Sequence, residues 1–284
     1  MTSNLSSSMQ TSRDHPSIRG TTAIELSDLA FAYPGGSPVL EHLDLAIETG
    51  SILGIVGPSG GGKSTLLSLA AGLIEPTAGS VSRRDDGSGR HPMSMMFQRE
   101  TLLPWLTVEE NARSFERYKS QRRKSNQSEQ VTLDERVTSL LELAHLEDSR
   151  EKYPYQLSGG MRRRLAFVAA VCVNPQVLLL DEPFSSVDEP TRVGIHQDVF
   201  DIARLLGMTM VLVTHDLAEA ITLCDRVVIL SARPARVAHV HTVNFGPERN
   251  MLDLRNSPEY ASLYAALWSD LGAEIVRGRG GSAS

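Results

Sequence analysis

A glycine-rich loop constrains this chain more than any other feature of its sequence. It lies between the apolar run Ile52–Val56 and the helix-like stretch Leu66–Leu73. Glycines let the backbone curl and present N–H groups to phosphate oxygens, and the helix directs its positive dipole end at the same anion. The spacing predicts a nucleoside-triphosphate site rather than a chance turn, with Lys63 on the β- and γ-phosphates and Ser64 on Mg²⁺. Its residues are Gly57, Pro58, Ser59, Gly60, Gly61, Gly62, Lys63, Ser64 and Thr65.

Composition narrows the class of protein. With 284 residues, 41% hydrophobic, the chain can form one large core or two lobes, and its net charge of −6 gives no general attraction to nucleic acid. Cys172 and Cys224 stand in apolar stretches, which favours reduced core thiols over a disulfide or zinc site. The longest apolar run, Leu165–Val173, is far shorter than the ~20 residues of a spanning helix. Residues 1–21 are polar, without a signal-peptide core, so we expect a disordered leader on a soluble cytosolic protein.

Further apolar runs alternate with helix-like stretches, which predicts a parallel α/β sheet. The run Val177–Leu180 ends in Asp181 and Glu182, and the run Thr209–Val213 is followed by His215. Ligands bind at the carboxyl ends of such strands. There Asp181 suits holding Mg²⁺ through water and Glu182 suits polarising the attacking water. The alternative for two adjacent acids is an exposed loop pair.

Other segments surround this core. Short β-like runs before Gly50 predict an antiparallel sheet, and the turn-rich stretch 75–90 predicts a hairpin with an exposed tip. Residues 101–156 read as mostly helical, with a capping box from Thr107 to Glu110. Tyr33 suits either core packing or stacking on a nucleobase. The basic residues 122–124 suit a solvated linker better than a nucleic-acid contact.

From about Thr22 to Leu230 the chain resembles the ATP-binding subunit of an ABC transporter. The resemblance implies the ABC ATPase fold: an α/β P-loop NTPase core with a parallel sheet, an antiparallel β subdomain and a helical subdomain at about 101–160. The ATP-binding domain would span 22–232, and 233–284 would be a tail with a short helix. The motifs stand in the family's order: Tyr33 (A-loop), 57–65 (Walker A), Gln98 (Q-loop), Leu157–Met161 (signature), Leu178–Glu182 (Walker B), Ser186-Val187-Asp188 (D-loop) and His215 (switch histidine).

The resemblance also implies a mechanism. Two copies would pair head to tail around two ATP molecules, each held between the Walker A loop of one copy and the signature of the other. Asp188 would couple the two sites. Glu182 and His215 are the expected catalytic residues. The shell around the γ-phosphate would be completed by Ser158, Gly159 and Gly160. Gln98 and His215 would sense the γ-phosphate. Mg²⁺ would be held by Ser64, Gln98 and Asp181.

Work at a membrane would then require other proteins. The subunit would lie peripherally on the cytoplasmic side of the cell membrane, bound to a permease. A separate solute-binding protein would deliver the solute to that permease. Trp105 and Leu106 suit either permease contact or core packing. The sequence of residues 97–108 and 181–185 is similar to that of ATP-binding subunits from importers of nitrate, sulfonates and taurine. We therefore expect ATP-driven uptake of a small anion. No nucleic-acid partner is expected.

Four positions depart from the family pattern. Met161 replaces the usual glutamine, Ala169 a common arginine, and Ser186-Val187 the usual alanine-leucine. None removes a phosphate ligand or Glu182, so an active ATPase is expected. A soluble ABC-type ATPase acting on nucleic acid or ribosomes is the alternative, although such proteins usually carry two cassettes, a zinc module or a coiled coil. The presence of Glu182 and His215 argues against a non-catalytic ATP-binding module.

Overall fold

A computed structural model describes residues 21–85, 87, 90–114 and 127–280. Two sheets organise these residues. The smaller is antiparallel, with strand order β2-β1-β4: β1 is Thr22–Ala32, β2 Pro38–Glu48 and β4 Ala78–Arg83. The predicted antiparallel sheet before Gly50 is therefore confirmed, and β4 adds a third strand to it.

The larger sheet has six strands in the order β5-β6-β7-β3-β8-β9. Its first five strands are parallel, and β9 pairs antiparallel with β8 at the edge. Continuous apolar runs form the central strands because parallel strands are buried on both faces. The bounds are β3 Ile52–Val56, β5 His91–Met96, β6 Pro175–Asp181, β7 Thr209–Val213, β8 Arg226–Leu230 and β9 Val237–Thr242.

The two faces of this sheet pack against different cores, as the alternation of strand side chains requires. Leu178 and Leu180 belong to the core that includes the helices after the signature and the D-loop. Val177 and Leu179 belong to the core shared with the small sheet and the first helix. The side chains of Cys172 and Cys224 are buried, as predicted for core thiols.

Eight α-helices lie in the described part of the chain, along with 3₁₀ turns at Glu147–Ser149 and Pro154–Gln156. None of the described helices is long and apolar enough to cross a membrane. The helices are α1 Lys63–Ala71, α2 Val108–Ala112, α3 Gln127–Leu143, α4 Gly159–Cys172, α5 Glu189–Leu205, α6 Leu217–Leu223, α7 Met251–Leu254 and α8 Pro258–Gly280.

Three sequence-based expectations need correction. Stretch 75–90 is not a hairpin, because β4 joins the small sheet and β5 the large one. The tail helix is not short: α8 has 23 residues, and β9 extends the main sheet beyond residue 232. The helical segment begins at Val108, after an irregular loop over 101–107. The capping box of Thr107 and Glu110 is confirmed, with N···O distances of 3.0 and 3.3 Å.

The predicted disordered leader, residues 1–21, and the basic residues 122–124 lie outside the described residues, apart from Thr21.

Candidate nucleotide site

The carboxyl ends of three adjacent strands form the site. In the sheet order β6-β7-β3, strand β3 leads into the glycine-rich loop, β6 ends at Asp181, and β7 leads to Thr214 and His215. Parallel strands place these ends at one edge of the sheet. The topology thus brings together three motifs that are distant in sequence, the glycine-rich loop lying more than a hundred residues before the other two.

The glycine-rich loop is held in an open curve. Gly60 and Gly62 have φ angles of +72° and +88°, which glycine adopts without a Cβ penalty. A Cβ on Gly62 would lie 2.9 Å from Val39 Cγ1, so β2 supports the loop from behind, whereas a Cβ on Gly60 would meet open space. The outer side of the loop is therefore a cradle at the N-terminus of α1, where an anion is stabilised by N–H groups.

Lys63 lies inside this cradle. Its Nζ donates to the carbonyl oxygens of Gly57 at 2.9 Å and Pro58 at 3.0 Å. Burial lowers the pKa of Lys63, while the nearby carboxylates of Glu182 and Asp181 act in the opposite direction. A buried ammonium beside a nest of N–H groups is a site for a polyanion such as a triphosphate.

Ser64 and Asp181 are brought together across the edge of the sheet. Ser64 Oγ donates to Asp181 Oδ1 at 3.0 Å. Burial raises the pKa of Asp181, and Glu182 adds to that rise, while the Ser64 hydrogen bond and Lys63 act against it. Two oxygen ligands facing open space fit Mg²⁺, which usually takes a few protein oxygens and completes its shell with water and phosphate. No group of three or more His, Cys, Asp or Glu residues suited to a metal occurs among the described residues.

Glu182 contacts two other residues of the predicted site, His215 and Gln98. Its Oε2 lies 3.2 Å from His215 Nδ1 and accepts from Gln98 Nε2 at 3.4 Å. The backbone of Glu182 has φ +45°, and its N–H donates to Val213 O at 2.8 Å. A left-handed backbone at a non-glycine residue costs free energy and is often found at active sites. Here it turns the chain sharply at the end of β6, next to Asp181.

Tyr33 lies beside the first helix rather than in the core. Its ring is 50% exposed and packs edge-on against Phe31 at a centroid distance of 4.9 Å. The Tyr33 hydroxyl and Thr65 Oγ1 are 3.3 Å apart, which ties the ring to the glycine-rich loop. Core packing, one of the two interpretations of Tyr33, is therefore wrong, and a half-exposed ring next to the loop suits stacking on a base.

The signature residues contact each other and the D-loop helix instead of the glycine-rich loop. Ser158 is the N-cap of α4 and accepts from the Met161 N–H at 3.2 Å. A Cβ on Gly160 would lie 2.5 Å from Thr191 Cγ2, so only glycine permits this approach of α4 and α5. Asp188 caps α5 by accepting from the Thr191 N–H at 3.2 Å, and these hydrogen bonds lower the pKa of Asp188. In the described structure, the hydrogen bonds of the Ser158 and Asp188 side chains stay within their own capped helices.

Sequence reasoning missed two arginines that join the signature helix to the Q-loop. Arg163, 1% exposed, donates from Nη2 to the carbonyl oxygen of Gln98. Arg162 Nε lies 3.1 Å from Glu100 Oε2, and its Nη1 donates to Leu157 O at 2.9 Å. Burial lowers the pKa of Arg163 although Glu100 and Glu219 act against this. The run of three arginines at 162–164 was the available signal.

Sequence reasoning also missed Asn111, which fixes the loop that carries Trp105. Asn111 is 1% exposed, and its side-chain amide donates to the carbonyl oxygens of Leu103, Leu106 and Thr107 at 2.9–3.0 Å. Its Oδ1 accepts from the Leu103 N–H at 2.8 Å. The loop is thereby closed over Asn111, and Trp105 is left 69% exposed at its outer side.

Comparison with known proteins agrees with this geometry. The family described as "ABC transporter" matches residues 40–185. The nitrate import ATP-binding protein NrtC of Synechococcus elongatus is 36% identical over 85% of this chain, which covers 37% of that longer protein. The aliphatic sulfonates import ATP-binding protein SsuB of Bacillus subtilis is 35% identical over 87% of this chain and 92% of its own length.

A solved structure is similar as well. The dimeric structure of MJ0796, a bacterial ABC transporter cassette, superimposes with a TM-score of 0.64 at 29% identity. The match covers 78% of this chain and all of that one. The same cassette is also known as a post-hydrolysis dimer bound to ADP and Pi.

Proposed function

Because the chain belongs to the ABC transporter family of ATP-binding subunits, we propose that it hydrolyses ATP to drive the import of a small anion through a separate permease. The observation that carries the proposal is the carboxylate of Glu182, which meets His215 and Gln98 beside the Ser64–Asp181 pair. A carboxylate in this position can accept a proton from the water that attacks the γ-phosphorus.

Different residues of the site bind the nucleotide, accept the proton and hold the metal. The N–H groups of the glycine-rich loop and the ammonium of Lys63 bind the phosphates, and Tyr33 supports the base. Glu182 takes the proton of the attacking water as the bond from the γ-phosphorus to the ADP oxygen breaks, and His215 keeps that carboxylate oriented. Ser64, Asp181 and Gln98 would hold Mg²⁺, which neutralises charge on the phosphate oxygens when bound.

Two copies complete the site. In the proposed head-to-tail dimer, Ser158, Gly159 and Gly160 of one copy face the γ-phosphate bound by the other. Two features support this: these residues open α4, where a helix N-terminus favours an anion, and the similar cassette MJ0796 is dimeric. Asp188, fully exposed at the start of α5, is placed to contact the other copy.

The solute is a small oxyanion such as a sulfonate, nitrate or taurine, and the subunit acts at the cytoplasmic face of the membrane. The support is the similarity to nitrate and aliphatic sulfonate import subunits. A binding protein that delivers the solute belongs to the same proposal. The relatives compared do not favour the alternative of a soluble ATPase outside transport.

Two substitutions test the hydrolysis step. Glu182→Gln should keep ATP binding but lower kcat at least ~100-fold, because the amide cannot accept the proton. Lys63→Ala should lose ATP binding, because the charge facing the phosphates is removed. Single-turnover ATPase assays and nucleotide binding by fluorescence separate the two effects. Hydrolysis by Glu182→Gln at a near wild-type rate would exclude Glu182 as the general base.

A further inference from the structure

One flank of the C-terminal helix α8 is apolar, aromatic and exposed. Residues 260–269 carry no charge. Tyr264 is 36%, Trp268 62% and Val276 70% exposed, and the rings of Tyr264 and Trp268 are nearly parallel with centroids 6.4 Å apart. Ala261 and Ala265 are also exposed on this side of the helix. We call these five residues the aromatic flank.

The aromatic flank faces away from the edge strand β9. Leu267 and Leu271 are buried and anchor α8 to the domain. Asp270 lies on the β9 side, since its Oδ2 is 2.9 Å from His241 Nε2. At about 100° per residue, Trp268 lies about 160° around the helix from Asp270. Among the described residues, the flank is therefore exposed rather than packed against a neighbouring element.

The N-terminal end of α8 lies next to the motifs that face the other copy in the dimer. Arg255, just before α8, pairs with Glu189 at 2.5 Å, and Glu189 follows Asp188 of the D-loop. Arg192 joins the same region, because it contacts Asp216 at 2.7 Å and donates to Val187 O at 2.8 Å. The partly buried ring of Tyr260, five residues after Arg255, lies 6.2 Å from the ring of Tyr264 between centroids, so the flank starts close to this region.

We propose that the aromatic flank packs against the same flank of a second copy, as a C-terminal contact that extends the ATP-sandwich dimer. The inference rests on the head-to-tail dimer of the proposed function. Because the flank starts close to the D-loop, we place it at the edge of that dimer, where a two-fold axis would pair the same surface of both copies. Rings of one copy can cover the alanines of the other, and no charge needs to be desolvated. A few side chains bury too little area for a dimer alone, so this contact reinforces the ATP-dependent one.

Cysteine cross-linking tests the geometry in the full-length chain. Cys172 and Cys224 are fully buried, so a cysteine introduced on α8 is the reactive thiol. In a Glu182→Gln background with ATP, we expect Ala261→Cys or Ala265→Cys to form disulfide-linked dimers. Ala266→Cys, exposed on the opposite flank, is the matched control and should give at least fivefold less product. Equal yields from both flanks, or none from Ala261→Cys and Ala265→Cys while the ATP dimer forms, would overturn the proposal.

Dimer affinity tests the energetics. By sedimentation velocity of Glu182→Gln with ATP, Trp268→Glu should raise the dimer Kd at least tenfold, and Ala266→Glu should leave it within twofold. Both variants should bind ATP as the parent does. If Trp268→Glu leaves the dimer intact but weakens binding to the co-expressed permease, the permease occupies the flank and the proposal is wrong. If no ATP-dependent dimer forms in the parent, the head-to-tail dimer itself fails, and this contact with it.

Discussion

Lys63 and Asp181 illustrate how burial acts on charges at the residue scale. The pKa of Lys63 is lowered and that of Asp181 is raised, in both cases chiefly because burial penalises the charged form. In the proposed function both groups serve a charged nucleotide, so the site holds charges that the fold alone does not favour. A site of this kind exchanges some stability for function.

A substitution of Asp181 tests this balance. A raised folded-state pKa means that the stabilising contribution of Asp181 is present at low pH and lost as the pH rises through that pKa. Asp181→Asn, neutral at every pH, should raise the thermal midpoint of the nucleotide-free protein at neutral pH by a few degrees. The gain should disappear towards about pH 4, where an ordinary aspartate titrates.

Thermal unfolding without nucleotide, followed across that pH range, measures the effect. Ser64→Ala, which removes the hydroxyl and keeps the carboxylate, is the control and should not stabilise the protein. A wild type more stable than Asp181→Asn at neutral pH would mean that attraction to Lys63 outweighs burial.

Residue identities predicted where the motif residues lie, while their roles stay predictions. The sequence placed Asp181, Glu182 and His215 correctly at strand ends and Lys63 at the start of the helix after the glycine-rich loop. It could not predict the left-handed backbone of Glu182, which depends on the hydrogen bond to Val213 in the neighbouring strand. It also missed Asn111, since a buried amide that closes a loop resembles any polar helical residue in sequence.

At the scale of elements, strongly apolar strands were predictable and weak ones were not. Strands β3, β6, β7 and β8 consist of buried residues almost throughout, so their apolar runs were clear. Strands β4 and β5 are short and polar or mixed, and their partners lie in different sheets. Arg83 ends β4 by donating to the carbonyl oxygens of Leu69 and Ala70 in α1, a tertiary contact that no local pattern predicts.

The link between α4 and the Q-loop yields an element-scale prediction. Arg163→Gln should lower kcat roughly tenfold with little change in the KM for ATP, because it removes a charge-assisted hydrogen bond to Gln98 O and leaves the glycine-rich loop intact. Arg162→Gln is the control: its ion pair with Glu100 is partly exposed, so kcat should change less than about fivefold.

Steady-state ATPase kinetics separate kcat from KM in both variants. Circular dichroism checks that α4 still folds in Arg163→Gln, since its guanidinium is fully buried. An equal loss of kcat in both variants, or a rise in KM alone, would contradict a positioning role for Arg163.

At the scale of the whole molecule, we propose that the exposed Trp105 connects the subunit to its permease in the membrane. The described part of the chain has no helix that could span a bilayer, whereas the transport function requires work at one. Trp105 lies a few residues after Gln98, on a loop that Asn111 holds closed. An indole that is 69% exposed on an ordered loop is a typical anchor for a partner protein. Core packing, the alternative interpretation of Trp105, is therefore wrong.

Co-expression with the permease tests this assignment. Trp105→Asp should release the subunit from the membrane fraction at least tenfold relative to wild type, because a charge cannot enter an apolar pocket without loss of its hydration. ATP binding should be unchanged, since Trp105 is exposed on the loop after Gln98 and is not part of the glycine-rich loop. Leu205→Asp, at a 66% exposed site at the end of α5, is the control and should remain bound to the membrane. If the wild-type subunit stayed out of the membrane fraction in the presence of its permease, the transport function would be wrong and the soluble ATPase would replace it.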